Sequence, residues 1–190
     1  MGIFTYLVQL FEARTARCRQ ENAKKAKAAV DELFPGEKWI KVENGIYLSP
    51  RRAVGRKSNY EYELRDAQIL RDMGSTVYLV PEPRADRNRK YDAIVDGMKF
   101  EFKNMGGNIN TLEHQFLRSR SQSPNVFINM EKTDLSKREI ISTLYRARNK
   151  TESTKSHGYA YYNKFKGGKI ILKINGLDNL VYLNVDNLKI

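Results

Sequence analysis

The segment Tyr91–Lys103 contains two runs of alternating apolar and polar residues, separated by Asp96-Gly97. This dipeptide is typical of a two-residue β-hairpin turn, and such a turn sets the register of the strands that it joins. The register pairs Val95 with Met98 across the turn. Counting outwards from that pair, one residue at a time on each strand, places Asp92 directly opposite Glu101. The sequence therefore predicts two carboxylates facing each other across a hairpin.

Side chains alternate between the two faces of a strand, so this hairpin has one apolar and one polar face. The apolar residues, predicted to face the core, are Tyr91, Ala93, Val95, Met98, Phe100 and Phe102. The other face carries Asp92, Ile94, Lys99, Glu101 and Lys103. Opposed like charges destabilise a hairpin, so something must compensate the two acids.

A divalent cation held between Asp92 and Glu101 would compensate them, and oxygen ligands suit Mg²⁺ or Mn²⁺, with Zn²⁺ also left open. Lys103 lies on the same face, where it could hold an attacking water or stabilise charge on a phosphate. This group predicts a metal-assisted phosphodiesterase. The alternative is a solvated sheet face with a cross-strand Lys–Glu pair.

Glu63 is a third acidic candidate, in the helix that precedes the hairpin. It recurs at helical spacing with Ala67 and Leu70, so it lies at the margin of the packing face. A carboxylate in such a place needs a partner. Glu63 is therefore predicted to join the site, or else to be an acid in the first turn that the helix dipole favours.

The remaining pattern predicts an α/β (α+β) fold, with a mixed central sheet flanked by helices. One long helix over 2–34, or two shorter ones, ended by Pro35-Gly36, and a short hairpin around Asn44-Gly45 form an accessory region, 1–57. A basic connector, with Arg51, Arg52, Arg56 and Lys57, is predicted at the end of this region. The main domain spans 58–190 and reads helix, three strands, helix, strand. Its predicted elements are helices at 60–73, 111–121 and 136–149 and strands at 76–80, 91–95, 98–103, 125–130, 159–162, 169–174 and 180–185. The first of these helices has Ser58 or Asn59 as its predicted N-cap and Gly74 as its predicted stop, and the third begins at a predicted capping box, Ser136 with Glu139.

This order, with Glu63 on the helix, then Asp92, then Glu101-Phe102-Lys103, resembles the PD-(D/E)XK nuclease core, a restriction-endonuclease-like αβββαβ arrangement, here with an N-terminal helical extension. More narrowly, about residues 60–144 resemble the C-terminal nuclease domains of CdiA-like polymorphic toxins and related mobile-element proteins. Tyr91 stands where the core's name has proline, and residues 1–57 resemble no family that we can name.

The resemblance implies that Asp92 and Glu101 bind the metal, that Lys103 serves the nucleophile and that Glu63 assists. It also implies a polar side chain from the following helix, for which Gln115 is the candidate.

The net charge of +12 and a pI near 9.7 favour an anionic partner, most often nucleic acid. Whether that is DNA or RNA, such as tRNA, is open. The basic residues predicted to contact phosphates are Arg87, Arg89, Lys90, Arg118 and Arg120.

Two other functions fit parts of the sequence. A metal-independent, barnase-like ribonuclease would use His114 or His157 as general acid or base. A non-enzymatic nucleic-acid-binding protein of a mobile element would need only the basic surface. The opposed carboxylates count against the latter, because without a metal they would repel phosphates.

The single cysteine, Cys18, excludes an internal disulfide framework, and no stretch reaches the roughly 18 apolar residues of a transmembrane helix. We expect action in the cytoplasm, after delivery from another cell if the chain is a toxin. An acidic immunity protein would then be its partner. The N-terminal helix could also pair two copies into a homodimer.

Overall fold

The computed structural model describes residues 3–52, 57–81, 91–119, 122–153 and 168–188. The chain divides into two compact units. Unit 1 comprises Met1–Glu82 and Ala93–Met98, and unit 2 comprises Pro83–Asp92 and Lys99–Ile190. The predicted fold class is confirmed, because helices and a mixed set of parallel and antiparallel strands alternate along the chain.

Unit 1 orders its strands β1-β2-β3-β4, and only the central pair, β2 with β3, is parallel. Its elements are α1 (Ile3–Leu33), β1 (Ile40–Glu43), β2 (Ile46–Leu48), α2 (Lys57–Asp72), β3 (Val77–Leu79) and β4 (Ala93–Val95). The boundary predicted after residue 57 falls inside this unit, since β2 and β3 pair from either side of it.

The long N-terminal helix is one continuous element, and Ala26 and Val30 on one of its faces are fully buried. Trp39 follows α1 and packs edge-on against Phe34 and Tyr78, with ring centroids 5.5 and 5.0 Å apart. These contacts hold α1 on the strands of unit 1. Every helix that the structure describes is too short or too polar to cross a bilayer.

Helix α2 begins at Lys57, before the predicted caps Ser58 and Asn59, and ends at Asp72, two residues before the predicted stop, Gly74. Gly74 has a φ of +94°, and its N–H donates to the Arg71 carbonyl at 2.8 Å. The next N–H, of Ser75, donates to the Leu70 carbonyl at 3.1 Å. This is a Schellman cap, which satisfies carbonyls that a helix end otherwise leaves exposed.

Unit 2 orders its strands β5-β6-β7-β8, and helices cross over between the parallel pairs β5–β6 and β6–β7. Its elements are β5 (Met98–Gly106, in this unit from Lys99), α3 (Ile109–Ser119), β6 (Asn125–Lys132), α4 (Lys137–Ser153), β7 (Lys169–Ile174) and β8 (Val181–Asn184). The predicted order of helix, three strands, helix, strand is confirmed. The strand predicted over 159–162 lies outside the described residues.

Helix α4 begins at the predicted capping box. Ser136 Oγ accepts the Glu139 N–H at 3.3 Å, and the Ser136 N–H donates to Glu139 Oε2 at 2.8 Å. These hydrogen bonds hold the pKa of Glu139 below its usual value.

The core of unit 2 lies between helices α3 and α4 and one face of its strands. That face includes Val126 and Ile128 of β6, packed with Leu112 and Phe116 of α3. By register, Glu101 pairs with Val126, so the acid-bearing face of β5 is the helix-covered face. The other face of the strand pair is buried as well, with Phe102 packed edge-on to Phe127. The hairpin face that reads as polar is therefore not solvated.

Candidate catalytic carboxylate site

The turn that sets up the site has the conformation that its sequence predicts. Asp96 and Gly97 have φ values of +51° and +85°, as a type I′ turn requires of both central residues. The short turn is also braced from β3, because the Thr76 N–H donates to Asp96 Oδ1 at 2.8 Å.

Asp92 departs from the regular register that we predicted. Strand β4 begins only at Ala93, and the Asp92 N–H donates to the Phe100 carbonyl at 3.0 Å. In the predicted pairing, residue 92 would lie opposite Glu101 and its N–H would point away from β5. The reason is that the Asp92 side chain takes the place of a backbone acceptor in the hydrogen bonding between the strands. The Phe102 N–H donates to Asp92 Oδ2 at 2.9 Å, where a backbone carbonyl would otherwise accept.

Glu101 is the most deeply buried acid of the site, with 2% of its surface exposed. Its Oε1 accepts a hydrogen bond from Lys103 Nζ, whereas its buried Oε2 has no hydrogen-bond partner in the described part of the chain. Burial, together with the nearby charge of Asp92, raises the pKa of Glu101 to about 8, against the opposing effect of Lys103. The structure therefore brings together the three predicted residues Asp92, Glu101 and Lys103.

This raised pKa predicts a pH-dependent stability for the metal-free protein. An unfolded glutamate titrates near pH 4.3, so between about pH 5 and pH 8 the folded chain keeps a proton that the unfolded chain has lost. The free energy of unfolding then falls as the pH rises, by on the order of 3 kcal/mol. Urea unfolding in excess chelator measures this fall. Glu101→Gln should remove most of it, and an unchanged slope in that variant would contradict the assignment.

Glu63 has the partner that its position requires, and that partner is Arg52. Arg52 Nε donates to Glu63 Oε2 at 2.9 Å, and Nη2 binds the same oxygen. The Arg52 side chain is 3% exposed, and its Nη1 also donates to the Val80 carbonyl. Both residues belong to unit 1, and a catalytic role for Glu63 stays a prediction.

Arg52 is the residue that sequence reasoning missed. It stands in a run of basic residues, 51–57, which reads as a solvated connector. The structure corrects this, because Arg52 is buried while the adjacent Arg51 is half exposed and pairs with Glu37. The sequence indicated a buried cation only indirectly, because a carboxylate predicted at the margin of a packing face, such as Glu63, needs a partner.

Helix α3 follows β5 and carries Gln115. Leu112, Phe116 and Ser119 are its buried residues, Gln115 is half-buried, and His114 and Arg118 lie one turn apart on the exposed face. The parts proposed for Gln115, His114 and Arg118 stay predictions. The other candidates, Arg87, Arg89, Lys90, Arg120 and His157, lie outside the described residues.

The donor set fits a divalent cation with few protein ligands. Within the described ranges no cluster of three or more His, Cys, Asp or Glu side chains is placed to hold a metal. Two carboxylates nevertheless meet at Asp92 and Glu101, and the buried Glu101 Oε2 lacks a partner that a cation would supply. Mg²⁺ keeps several waters and is commonly held by one or two carboxylates.

Residues 89–158, which include Asp92, Glu101, Lys103 and Gln115, match the family described as the contact-dependent growth inhibition CdiA C-terminal domain. The predicted resemblance to CdiA C-terminal domains is confirmed over these residues, and the PD-(D/E)XK type stays a prediction. A solved structure, the CdiA-CT/CdiI toxin and immunity complex from Burkholderia pseudomallei, is 19% identical, with a TM-score of 0.45. The alignment covers 72% of this chain and 98% of that one. No curated protein matches the chain.

Proposed function

We propose that this chain is a metal-dependent endonuclease that hydrolyses phosphodiester bonds in DNA or RNA and acts as a bacterial toxin. The observation that carries the proposal is the buried carboxylate pair. Glu101 lies beside Asp92 with one oxygen unpartnered, and Lys103 is hydrogen-bonded to its other oxygen. A structural pair would have both oxygens satisfied, because an unpaired buried polar atom destabilises the fold.

Each of the three residues has a distinct part in this reaction. Asp92 and Glu101 would hold the cation, which when bound lowers the pKa of a water and neutralises charge on the scissile phosphate. The Phe102 N–H orients the Asp92 carboxylate from the backbone of β5. Lys103 Nζ would then position the attacking water and stabilise the negative charge that develops on the phosphate.

Binding of the substrate would depend on basic side chains. Arg118 lies on the exposed face of α3, and Arg87, Arg89, Lys90 and Arg120 are proposed to contact phosphates with it. Gln115 is proposed to supply a polar group to the site, and Glu63 to assist from α2.

The match to the CdiA C-terminal domain family supports a toxin delivered into a target cell, whose cytoplasm holds the nucleic acid. A cell that makes such a toxin needs protection from it. A protein of net charge +12 is best blocked by an acidic protein, so we propose an acidic immunity partner.

The first experiment incubates the wild-type protein with tRNA and with duplex DNA, each with Mg²⁺, Mn²⁺, Zn²⁺ or excess chelator. We expect cleavage of one of them only where a divalent metal is present, which also identifies the substrate. Cleavage that survives chelator would contradict the proposal and move the chemistry to His114 or His157. No cleavage under any condition would contradict it too.

Lys103→Ala should slow metal-dependent cleavage by about a hundredfold, because it removes a charge that stabilises the transition state. Calorimetry should show metal affinity retained, since Asp92 and Glu101 remain. Lys99→Ala is the matched control, because the exposed Lys99 lies on the same strand and its Nζ lies over the Tyr91 ring at 5.2 Å. Lost metal affinity in Lys103→Ala, or equal rates for both variants, would contradict the role.

A further inference from the structure

A second feature lies wholly within unit 1. A cleft of about 230 Å³ opens between α1, the β1–β2 turn and the end of α2, and we call it the Arg19 cleft. None of its lining residues is acidic: they are Arg19, Gln20, Ala23, Asn44, Gly45, Tyr47, Arg71, Gly74, Ser75 and Thr76. Two guanidinium groups thus share one polar cleft.

Arg19 lies against the backbone of the α2–β3 turn. A methyl group added at Gly74 would lie 3.5 Å from Arg19 Nε, which is an ordinary van der Waals contact, so the guanidinium lies close to this turn. The Arg71 side chain lies closer to Gly45, since its Cγ would be 3.2 Å from a methyl group added there. Arg19 has no ion pair or hydrogen bond within the described ranges, and its side chain is exposed.

Arg71 is held in place by acids outside the cleft lining. Its Nη1 donates to Glu43 Oε2 at 2.6 Å and its Nε to Asp72 Oδ1 at 2.7 Å. Gln68 in turn donates to Glu43 Oε1 at 2.6 Å. Arg71 Nη2 has no hydrogen-bond partner in the described part of the chain, so this nitrogen can donate to a ligand.

The C-terminal end of a helix carries partial negative charge, so the end of α2 would repel an anion in this cleft. Here the Schellman cap satisfies the carbonyls of Leu70 and Arg71, and Asn22 Nδ2 lies 3.5 Å from the Gly74 carbonyl. The opposing dipole is therefore weakened, and Arg19 forms no ion pair with any residue that the structure describes.

We propose that the Arg19 cleft of unit 1 binds a phosphate group of the nucleic acid substrate. This inference rests on the proposed nuclease function. Guanidinium groups bind phosphate with paired, charge-assisted hydrogen bonds. The volume lies below the 300 Å³ or so of a typical small-molecule pocket, so it suits one phosphate and its sugar rather than a larger ligand.

The test measures binding of a fluorescein-labelled single-stranded RNA, and of a labelled duplex DNA, by anisotropy in excess chelator over a series of salt concentrations. Arg19→Gln should weaken binding about fivefold and lower the slope of log K against log salt by about 0.7 to 0.9. Ala23→Glu should weaken it further, because an acid one turn after Arg19 on the exposed face of α1 pairs with that guanidinium.

Arg17→Gln is the matched control. It removes the same charge from the same helix, but Arg17 is 82% exposed, pairs with Glu21 and does not line the cleft. Its binding should stay within about twofold of wild type, with an unchanged salt slope.

If Arg17→Gln and Arg19→Gln weaken nucleic acid binding equally, the proposal that the Arg19 cleft binds phosphate is wrong. The proposed nuclease function is then unaffected, provided that the wild type still cleaves. If the wild type neither binds nor cleaves either nucleic acid, both proposals fall. If RNA binding is unchanged while Arg19→Gln loses binding of a labelled polyglutamate probe, the cleft takes an acidic protein segment and the proposal is overturned.

Discussion

Glu101→Gln should cleave nucleic acid at least about a thousandfold more slowly than the wild type, while binding it as tightly or more tightly. The amide keeps the size of the side chain and the hydrogen-bond acceptor for Lys103. It removes the charge that holds a cation, and also a charge that repels phosphates. Single-turnover cleavage and anisotropy, on the same substrate and metal, separate the two effects.

Asp134→Asn is the control for Glu101→Gln, because it makes the same change of charge at an exposed position of unit 2. Its cleavage rate should equal that of the wild type. If Glu101→Gln also cleaved at the wild-type rate, the carboxylate pair would not be the catalytic centre. If it lost binding together with cleavage, Glu101 would have a structural role instead.

Arg52→Met should lower the free energy of unfolding by about 3–5 kcal/mol, the largest loss of stability that we expect from one substitution. It removes the Arg52 guanidinium from the Glu63 carboxylate, which is only 16% exposed, and also removes the hydrogen bond to the Val80 carbonyl. The neighbouring Arg51→Met should cost less than about 1 kcal/mol, because Arg51 is half exposed. Urea unfolding at constant pH compares the two.

A second substitution distinguishes the buried ion pair from lost packing at Arg52. In Arg52→Met with Glu63→Gln, no uncompensated charge remains, so the double variant should recover a large part of the lost stability. If the losses in the free energy of unfolding from the two single substitutions simply add in the double variant, Arg52 and Glu63 are not energetically coupled. The stabilising role assigned to this ion pair would then be wrong.

The local features of the carboxylate hairpin could be predicted because short-range sequence signals determine them. Asp96-Gly97 adopts the positive φ values that its turn type demands, and Ser136 and Glu139 form the predicted capping box. Each of these features depends on residues no more than a few positions apart. The same holds for the closeness of Asp92 and Glu101, which follows from the turn.

Features that depend on distant residues could not be predicted. The Asp92 side chain replaces a backbone acceptor, which a register count cannot foresee. The burial of Glu101 depends on its place in the sheet, where it pairs in register with Val126 of the unit 2 core. The partner of Glu63 proved to be Arg52, and charge patterning alone treats every residue of a basic run alike.

The helix-covered face of unit 2 has a consequence for mutational tolerance. Glu101 shares that face with Val126, which packs with Leu112 and Phe116, so the site has no scaffold separate from the core. A substitution that let water in beside Val126 would ease the desolvation that raises the Glu101 pKa. We therefore expect conservative exchanges of core residues on this face to change the pKa of Glu101 as well as the packing.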